Sequence, residues 1–279
     1  MQWRGQRESD NIEDRRGMSG TTKLVGGGIG TLIIAVIVYF MGGDPSRVLN
    51  TQQSAAPQSQ TMPGAGDDSL KHFTAVVLGE TEDVWTKLFS EMGSQYREPA
   101  LVLFSGQTQS ECGGADAATG PFYCPADQKV YLDLSFFREL NERFRVPGNF
   151  AMAYVIAHEV GHHVQQLMGI SGKVHQLQQH TNETGANRLS VKLELQADFF
   201  AGVWAHYAKD LRLDEADIRS ALTAANAIGD DRLQKESQGY VVPDAFTHGT
   251  SAQRMYWFKK GYETGDVNQG DTFNDPSSL

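Results

Sequence analysis

The chain has 279 residues, of which 40% are hydrophobic and 21% are charged, so it can bury a sizeable core in one or two domains. Its formal net charge of -10 argues against nucleic-acid binding, because proteins that bind a phosphate backbone present clustered Lys and Arg. The acidity by itself predicts a well-solvated surface and identifies no partner.

The first feature along the chain is an apolar stretch at residues 24–43, which contains no charged side chain. Twenty helical residues span about 30 Å, the thickness of the hydrocarbon core of a bilayer. A cleaved signal peptide and a buried soluble helix are the alternatives, but the long polar lead-in carries acids and fits a signal peptide poorly. The sequence therefore predicts one retained transmembrane helix that contacts membrane lipid.

The charges that flank this stretch predict its orientation. Four Arg and one Lys precede it within residues 1–23, whereas Arg47 stands alone just after it. Positive residues remain in the cytoplasm, so residues 1–23 are predicted to be cytoplasmic and the bulk of the chain to lie outside. Residues 44–69 are rich in Gln, Ser, Pro and Gly, which predicts a flexible linker to a domain at residues 70–279.

The domain opens with helical and strand patterns. Residues 68–93 are predicted to form two helices separated near Gly79, with Thr81 capping the second. The segments ALVLFSG and KVYLDLSF have the pattern of short strands, and a helical FFRELNERF follows the second. We expect KVYLDLSF to be either an edge strand that pairs with a peptide substrate or an ordinary strand of the sheet.

Two cysteines bracket a Gly- and Ala-rich loop between these strands. Cys112 and Cys124 are the two cysteines of the chain. In an oxidising compartment we expect them to form a disulfide, worth about 3 kcal/mol on the chain-entropy estimate. Two unpaired thiols are the alternative, and a zinc site is not expected there because two soft ligands are too few.

Helices dominate the rest of the chain. Apolar periodicity predicts three long helices, at residues 150–168, 187–209 and 214–228. Gly169 is expected to stop the first of them. Thr250 and Gln253 form a capping box that begins a last helix, which ends at Gly265. The predicted fold class is therefore α+β, mostly helical with a small sheet.

The segment AHEVGHH, within the first of these long helices, has the spacing of a metal site. Positions i and i+4 lie on one face of a helix, so His158 and His162 can bind one cation while Glu159 acts as a general base. His163 is rotated by about 100° and is a poor ligand, expected beside the site or at the surface. Two histidines on a half-buried helix without metal are the alternative, because the motif also arises by chance.

A catalytic zinc site needs a third protein ligand and an open position. The pattern that supplies a third histidine is excluded, because Gln165 and Met168 occupy the positions it requires. The next long helix offers Glu194 and Asp198 at i, i+4 among apolar neighbours, where buried carboxylates need a cation or a partner. Glu194 is the predicted third ligand, and Asp198 is predicted to accept the free N–H of a ligand histidine. A solvated stripe of two acids is the alternative.

Several segments together resemble one protein family. AHEVGHHVQ, ELQADFFAGVWA and FTHGTSAQRMYWFKKGY, with GPFYCPADQKVYLD and the opening MQWRGQRESDNIEDRRG, are similar to the bacterial neutral zinc metallopeptidases over nearly the whole chain. That family often has Cys at the position of Phe199, a difference that does not touch the ligand set. More distantly, the chain is similar to membrane zinc peptidases that combine His-Glu-x-x-His with Glu-x-x-x-Asp and a later His-to-Arg segment.

The resemblance implies a zincin-like metallopeptidase fold with one Zn2+ per chain. It implies that His158, His162 and Glu194 bind the zinc ion, that Glu159 is the base, and that Asp198 supports a ligand. The substrate would be a protein or a peptide. Combined with the charge bias, the resemblance predicts a single-pass protein of the bacterial inner membrane, with its C-terminal domain on the periplasmic or extracytoplasmic side.

One histidine and one arginine near the last helix are further candidates. His248 precedes that helix, and Arg254 lies in its first two turns. Either side chain could stabilise the oxyanion of a tetrahedral intermediate. Alternatively, His248 caps a loop and Arg254 pairs with Asp198 or another acid.

The sequence as a whole predicts a zinc-dependent peptidase that acts outside the cytoplasmic membrane. Two other classes stay open. One is a membrane-tethered adaptor or quality-control scaffold that holds zinc without turnover, and the other is a metal-free interaction domain whose histidines are core residues. The complete set of ligands with a general base favours the peptidase over both.

Overall fold

The structure, a computed structural model, describes residues 1–17, 65–116, 119–142, 146 and 148–278. Met1–Arg16 and Ala65–Leu279 form one compact unit. The predicted transmembrane helix and most of the predicted linker fall outside the described residues. Within those residues, no helix combines the length and the hydropathy needed to cross a membrane.

Helices make up most of the described chain. They are α1 (Ala65–Glu91), α2 (Ser135–Glu142), α3 (Asn149–Leu167), α4 (Ile170–Gln178), α5 (Glu183–Tyr207), α6 (Glu215–Ala227), α7 (Asp230–Gln238) and α8 (Ser251–Thr264). The strands are β1 (Ile12–Asp14), β2 (Ala100–Phe104), β3 (Gln107–Ser110), β4 (Gly113–Asp116), β5 (Phe122–Cys124) and β6 (Lys129–Asp133). The predicted class, α+β with mostly helices and a small sheet, is confirmed.

The main sheet has four strands in the order β1-β2-β6-β5. β1, β2 and β6 run parallel to one another, and β5 runs antiparallel to β6. The segment KVYLDLSF supplies β6, which lies between β2 and β5, so its interpretation as an edge strand is wrong. The reason is that β5, which the sequence patterns did not reveal, turns back through a tight turn at Gln128 (φ 57°) and covers the outer side of β6.

The disulfide between Cys112 and Cys124 is present, as predicted. Cys112 lies in the turn between β3 and β4, which form a separate two-stranded antiparallel hairpin. Cys124 is the last residue of β5. The bond therefore fastens the tip of the hairpin to the edge strand of the main sheet.

The N-terminal residues belong to the same unit as the rest of the domain. The sequence predicts a separate segment at residues 1–23 and a domain that begins at residue 70. The structure instead places Met1–Arg16 and Ala65–Leu279 in one compact unit. Ile12 of β1 lies opposite Leu101 of β2 in a parallel ladder, and the ring of Trp3 packs edge-on against Phe73 at 5.5 Å between centroids. No local pattern could reveal this pairing, because the partners of β1 lie on the far side of the apolar stretch.

Helix α1 is continuous, so the predicted break near Gly79 is wrong. A Cβ atom on Gly79 would lie 3.1 Å from the carbonyl oxygen of Arg7 and 3.2 Å from the amide nitrogen of Ser9. The glycine therefore permits the N-terminal backbone to approach the helix. Thr81 does not cap a helix; its hydroxyl donates to the carbonyl of Leu78 within α1, at 2.7 Å.

Predicted helix ends agree well with the structure. Gly169 adopts a left-handed conformation (φ 70°) just after α3, and Gly265 does the same (φ 60°) after α8. Thr250 and Gln253 form the predicted capping box at the start of α8. Helix α5 begins one turn earlier than predicted, because the side chain of Asn182 accepts a hydrogen bond from the backbone and caps it.

Helices α5 and α8 pack with their backbones in close approach. A Cβ atom on Gly202 would lie 2.0 Å from the carbonyl oxygen of Phe258, and one on Gly261 would lie 2.1 Å from the carbonyl oxygen of Phe199. Since both clashes involve backbone atoms, a side-chain rotation cannot relieve them. The two glycines thus fix the distance between the helix that carries Glu194 and the helix that carries Arg254.

We expect Gly261→Ala to lower the free energy of unfolding by about 1–3 kcal/mol, because the added methyl group overpacks this contact. Gly172→Ala is the matched control, since nothing lies within 4 Å of a Cβ at Gly172 in α4. There alanine should leave stability unchanged or raise it by up to about 1 kcal/mol through helix propensity. Denaturant unfolding measures both, and equal stability of the two variants would contradict the close approach.

Candidate metal centre

The metal-binding motif on α3 faces α5 across a contact that a glycine makes possible. A Cβ atom on Gly161 would lie 2.9 Å from the carbonyl oxygen of Ala197 and 3.1 Å from its Cα. Glycine inside the motif therefore lets α3 approach α5 closely. At this distance His158 and His162 of α3 can reach Glu194 of α5.

His158, His162 and Glu194 meet at one point. Nε2 of His158 lies 3.1 Å from Oε2 of Glu194, and Nε2 of His162 lies 3.4 Å from Oε1 of Glu194. One ligand atom from each residue lies within 4.8 Å of the others. Two imidazole nitrogens and one carboxylate oxygen are the donor set of a catalytic zinc site, which keeps a further position open. The residues present fit a zinc ion.

Hydrogen bonds hold each imidazole with its Nε2 atom toward the shared point. Nδ1 of His158 donates to Oδ1 of Asp198 at 2.9 Å, as the sequence predicted, and Nδ1 of His162 donates to Oε1 of Gln165 at 2.9 Å. The amide of Gln165 donates in turn to the carbonyl of Leu193 at 2.7 Å. Such partners fix the tautomer of a ligand histidine and raise its basicity. Only the fold reveals this role of Gln165.

Arg254 is buried and pairs with Asp198, which is one of the two alternatives that the sequence left open. Its Nε donates to Oδ2 of Asp198 at 2.8 Å, and its Nη2 donates to Oδ1 at 3.0 Å. The hydroxyl of Tyr154 also donates to Oδ1 of Asp198, at 2.5 Å. Burial raises the pKa of Asp198, but Arg254 and His158 outweigh burial and lower it to about 2. Asp198 is therefore a fixed negative charge behind His158.

The charges around the three ligand residues are arranged for a cation. Burial raises the pKa of Glu194, but the imidazoles of His162 and His158 outweigh it and hold the pKa well below its usual value. Burial lowers the pKa of His158, but Asp198 and Glu194 outweigh it and raise the pKa to about 10. The cluster thus stabilises positive charge at its centre. Protons on the imidazoles can supply this charge, and so can a metal ion that displaces those protons.

Glu159 lies beside the ligands on the wall of a cavity. It is buried, with 8% of its surface exposed, yet it lines the same cavity as His158, His162 and Glu194. Burial raises its pKa, and the neighbouring imidazoles of His158 and His162 oppose that effect. A carboxylate with a raised pKa can take up a proton and return it, as a general acid–base group must.

His248 also lines this cavity, and a carboxylate that the sequence did not single out orients it. Nδ1 of His248 lies 3.3 Å from Oδ1 of Asp230, and the backbone amides of Thr247 and His248 donate to Oδ2 of Asp230 at 2.7 and 2.6 Å. The hydrogen bond to Asp230 raises the pKa of His248. Asp230 thus holds the loop in place and supports a positively charged imidazole at the cavity wall.

Comparisons with known proteins agree with this donor set. A family model described as "Putative neutral zinc metallopeptidase" matches residues 1–273. The chain belongs to this family. It is 48% identical over 283 residues to the "Uncharacterized protein YpfJ" of Escherichia coli (strain K12), an alignment that covers 98% of this chain and 99% of the relative. It is 42% identical to the "Uncharacterized protein Mb2605" of Mycobacterium bovis, over 84% of each chain. No solved structure matches.

In this member of the family, the three residues of the candidate metal site open onto a cavity of about 790 Å³. One wall is the edge strand β5 and the residues that precede it, including Gly120, Pro121 and Phe122. Apolar side chains from other elements, among them Phe136 and Leu233, line further parts of the wall. The cavity is large enough for several residues of a peptide, and ligand sites of this size commonly combine apolar walls with a few polar groups.

His163 connects the metal helix to this edge strand. It is 1% exposed, so the expectation of a surface position is wrong, and its hydrogen bonds go to Tyr123 and Arg97 rather than to His158, His162 or Glu194. Burial lowers its pKa to about 4, and the neutral ring accepts a hydrogen bond from the hydroxyl of Tyr123 at 3.0 Å and donates to the carbonyl of Arg97 at 2.6 Å. Tyr123 belongs to β5, so His163 fixes the edge strand against α3.

Proposed function

We propose that this protein is a zinc-dependent peptidase that hydrolyses peptide bonds. The observation that carries the proposal is the meeting of His158, His162 and Glu194 beside Glu159 in one cavity. Membership of a zinc metallopeptidase family supports the same chemistry. A zinc ion held by these three residues supplies Lewis acidity, which polarises a carbonyl group and lowers the pKa of water.

Glu159 is the general base of the proposed reaction. Its carboxylate accepts a proton from the attacking water and then delivers that proton to the nitrogen of the leaving amine. Burial raises its pKa, which helps the carboxyl group to hold the proton between these two steps. Asp198 stays ionised beside His158 and keeps that ligand in one orientation.

His248 stabilises the oxyanion in this proposal, because its imidazole lines the cavity and Asp230 restrains it and favours its protonated form. We expect His248→Ala to lower kcat by about 10²-fold while zinc content stays unchanged. His180→Ala is the control, since His180 is an exposed residue in the turn that follows α4. Steady-state kinetics decide the matter, and full activity of His248→Ala would remove His248 from the catalytic machinery.

The substrate in this proposal is an extended polypeptide. Among the described residues β5 is the last strand of the sheet, so one side of its backbone has no paired strand there and could accept an added one, and Phe122 and Tyr123 of β5 line the cavity. Main-chain hydrogen bonds to an edge strand hold a peptide with little dependence on sequence. The apolar walls would then select among side chains.

The proposed place of action is the outer side of the cytoplasmic membrane. The uncharged stretch at residues 24–43 supports an association with lipid. The disulfide between Cys112 and Cys124 supports an oxidising compartment, because such bonds are rare where thiols are kept reduced.

Hydrolysis can be tested directly with a peptide library in heavy-oxygen water. The purified full-length protein should produce pairs of fragments in which the new carboxylate carries the heavy oxygen. A chelator should abolish this signal, and added zinc should restore it. Intact peptides in the presence of protein that holds one zinc ion per chain would instead indicate a zinc-containing scaffold, and protein that binds no zinc would indicate a metal-free domain.

A further inference from the structure

The N-terminal segment, Met1–Arg16, is built into the folded unit that carries the metal centre. Its strand β1 extends the main sheet, with Ile12, Glu13 and Asp14 opposite three consecutive residues of β2. The amide of Ser9 donates to the carbonyl of Ala75 in α1 at 2.9 Å. The segment therefore contacts the domain through backbone pairing as well as through side chains.

A buried carboxylate in α1 depends on this segment. Glu82 is 2% exposed. Its oxygens accept hydrogen bonds from Arg7 at 2.9 Å, Ser9 at 2.5 Å and Asn11 at 2.9 Å. An ionised carboxylate left without such partners at a buried site is strongly unfavourable. Gly79 leaves room for the backbone of Arg7, and Glu82 binds the side chains of the segment. The two residues therefore form the binding site of α1 for the N-terminal segment.

The positive charges that predict a cytoplasmic N-terminus have structural partners. Three of the arginines form ion pairs: Arg7 with Glu82, Arg15 with Glu13, and Arg16 with Asp14. Arg7 and Arg16 also reach acids of α1, Glu82 and Asp68, so these side chains join the segment to the domain. The family model also begins at residue 1, which makes the segment part of the family's common unit.

We infer that Met1–Arg16 and Ala65–Leu279 lie on the same side of the membrane. A single crossing by residues 24–43 would place these two parts on opposite sides, where β1 could not pair with β2. Exchange of the segment between two copies does not remove the conflict, because every copy would have the same topology. On this inference the chain does not cross the membrane in a single pass between residue 16 and residue 65, in contrast to the orientation predicted from the flanking charges.

Single-cysteine labelling of the full-length protein in cells tests this topology. The native cysteines are joined in a disulfide, so the unsubstituted protein is the unlabelled control. Asp10→Cys reports on the N-terminal segment and Glu215→Cys on the domain, since Asp10 is exposed and the side chain of Glu215 is 92% exposed. A membrane-impermeant maleimide is applied to cells with a permeabilised outer envelope, and then to lysed cells.

For each position we compare the labelling of unlysed cells with the labelling after lysis. We expect this ratio to be the same for Asp10→Cys and Glu215→Cys. Labelling of one position in unlysed cells and of the other only after lysis would overturn the inference. Failure of Asp10→Cys to label even after lysis would contradict the exposed position of Asp10 and overturn it as well. The result does not depend on peptidase activity, and it also reports which side the domain occupies.

Discussion

Replacing Glu159 with glutamine is expected to lower kcat for peptide hydrolysis by about 10²- to 10⁴-fold while the protein keeps its zinc. Glutamine has nearly the shape of glutamate but cannot accept the proton of the attacking water. Glu159 is not one of the three residues whose ligand atoms meet, so zinc content should stay at one ion per chain. Elemental analysis and steady-state kinetics on the same preparation measure both quantities.

Glu139→Gln is the matched control for this change, because Glu139 of α2 lines the same cavity but lies apart from the metal motif. It should change kcat only slightly. Unchanged turnover in Glu159→Gln would exclude Glu159 as the base. Loss of zinc from Glu159→Gln would show that this side chain contributes to metal binding, which the geometry does not predict.

Replacing Arg254 with methionine is expected to lower the free energy of unfolding by about 3–5 kcal/mol. Methionine fills a similar volume but leaves the carboxylate of Asp198 buried without its cationic partner. Asp198 is 0% exposed, and Arg254 is 2% exposed, so water cannot substitute for the lost guanidinium. Denaturant unfolding at saturating zinc measures the change.

The control for this prediction is an exposed ion pair on the same helix. Lys259 pairs with Glu263 at 3.5 Å, and both side chains are more than half exposed. Lys259→Met should therefore change the unfolding free energy by less than about 1 kcal/mol. If Arg254→Met were as stable as Lys259→Met, the buried pair would not support the metal centre in the way described.

Much of the candidate metal centre could be predicted from the sequence, because the residues that form it are recognised by their spacing within single helices. The i, i+4 spacing places His158 and His162 on one face of a helix, and the same spacing relates Glu194 to Asp198. The apolar neighbours of Glu194 indicate burial, and a buried carboxylate needs a cation or a partner. Helix ends are also encoded by local sequence, as the capping box at Thr250 shows.

The features that sequence reasoning missed depend on contacts between distant segments. Asp230, the first residue of α7, orients His248, which lies in a loop that folds back on the start of this helix. Gln165 orients His162, but the apolar periodicity of α3 does not mark this position for such a role. Gly79 suggested a helix break because glycine weakens helices, yet its role is to admit the backbone of Arg7. Local propensity cannot distinguish these roles of glycine.

The most direct test of the central claim is a zinc titration of the metal-free full-length protein, with peptide hydrolysis as the readout. A site formed by His158, His162 and Glu194 should give turnover that rises linearly with added zinc and stops rising at one zinc ion per chain. Turnover without zinc, or no turnover at one bound zinc ion per chain, would contradict the assignment of this cluster as the catalytic centre of a peptidase.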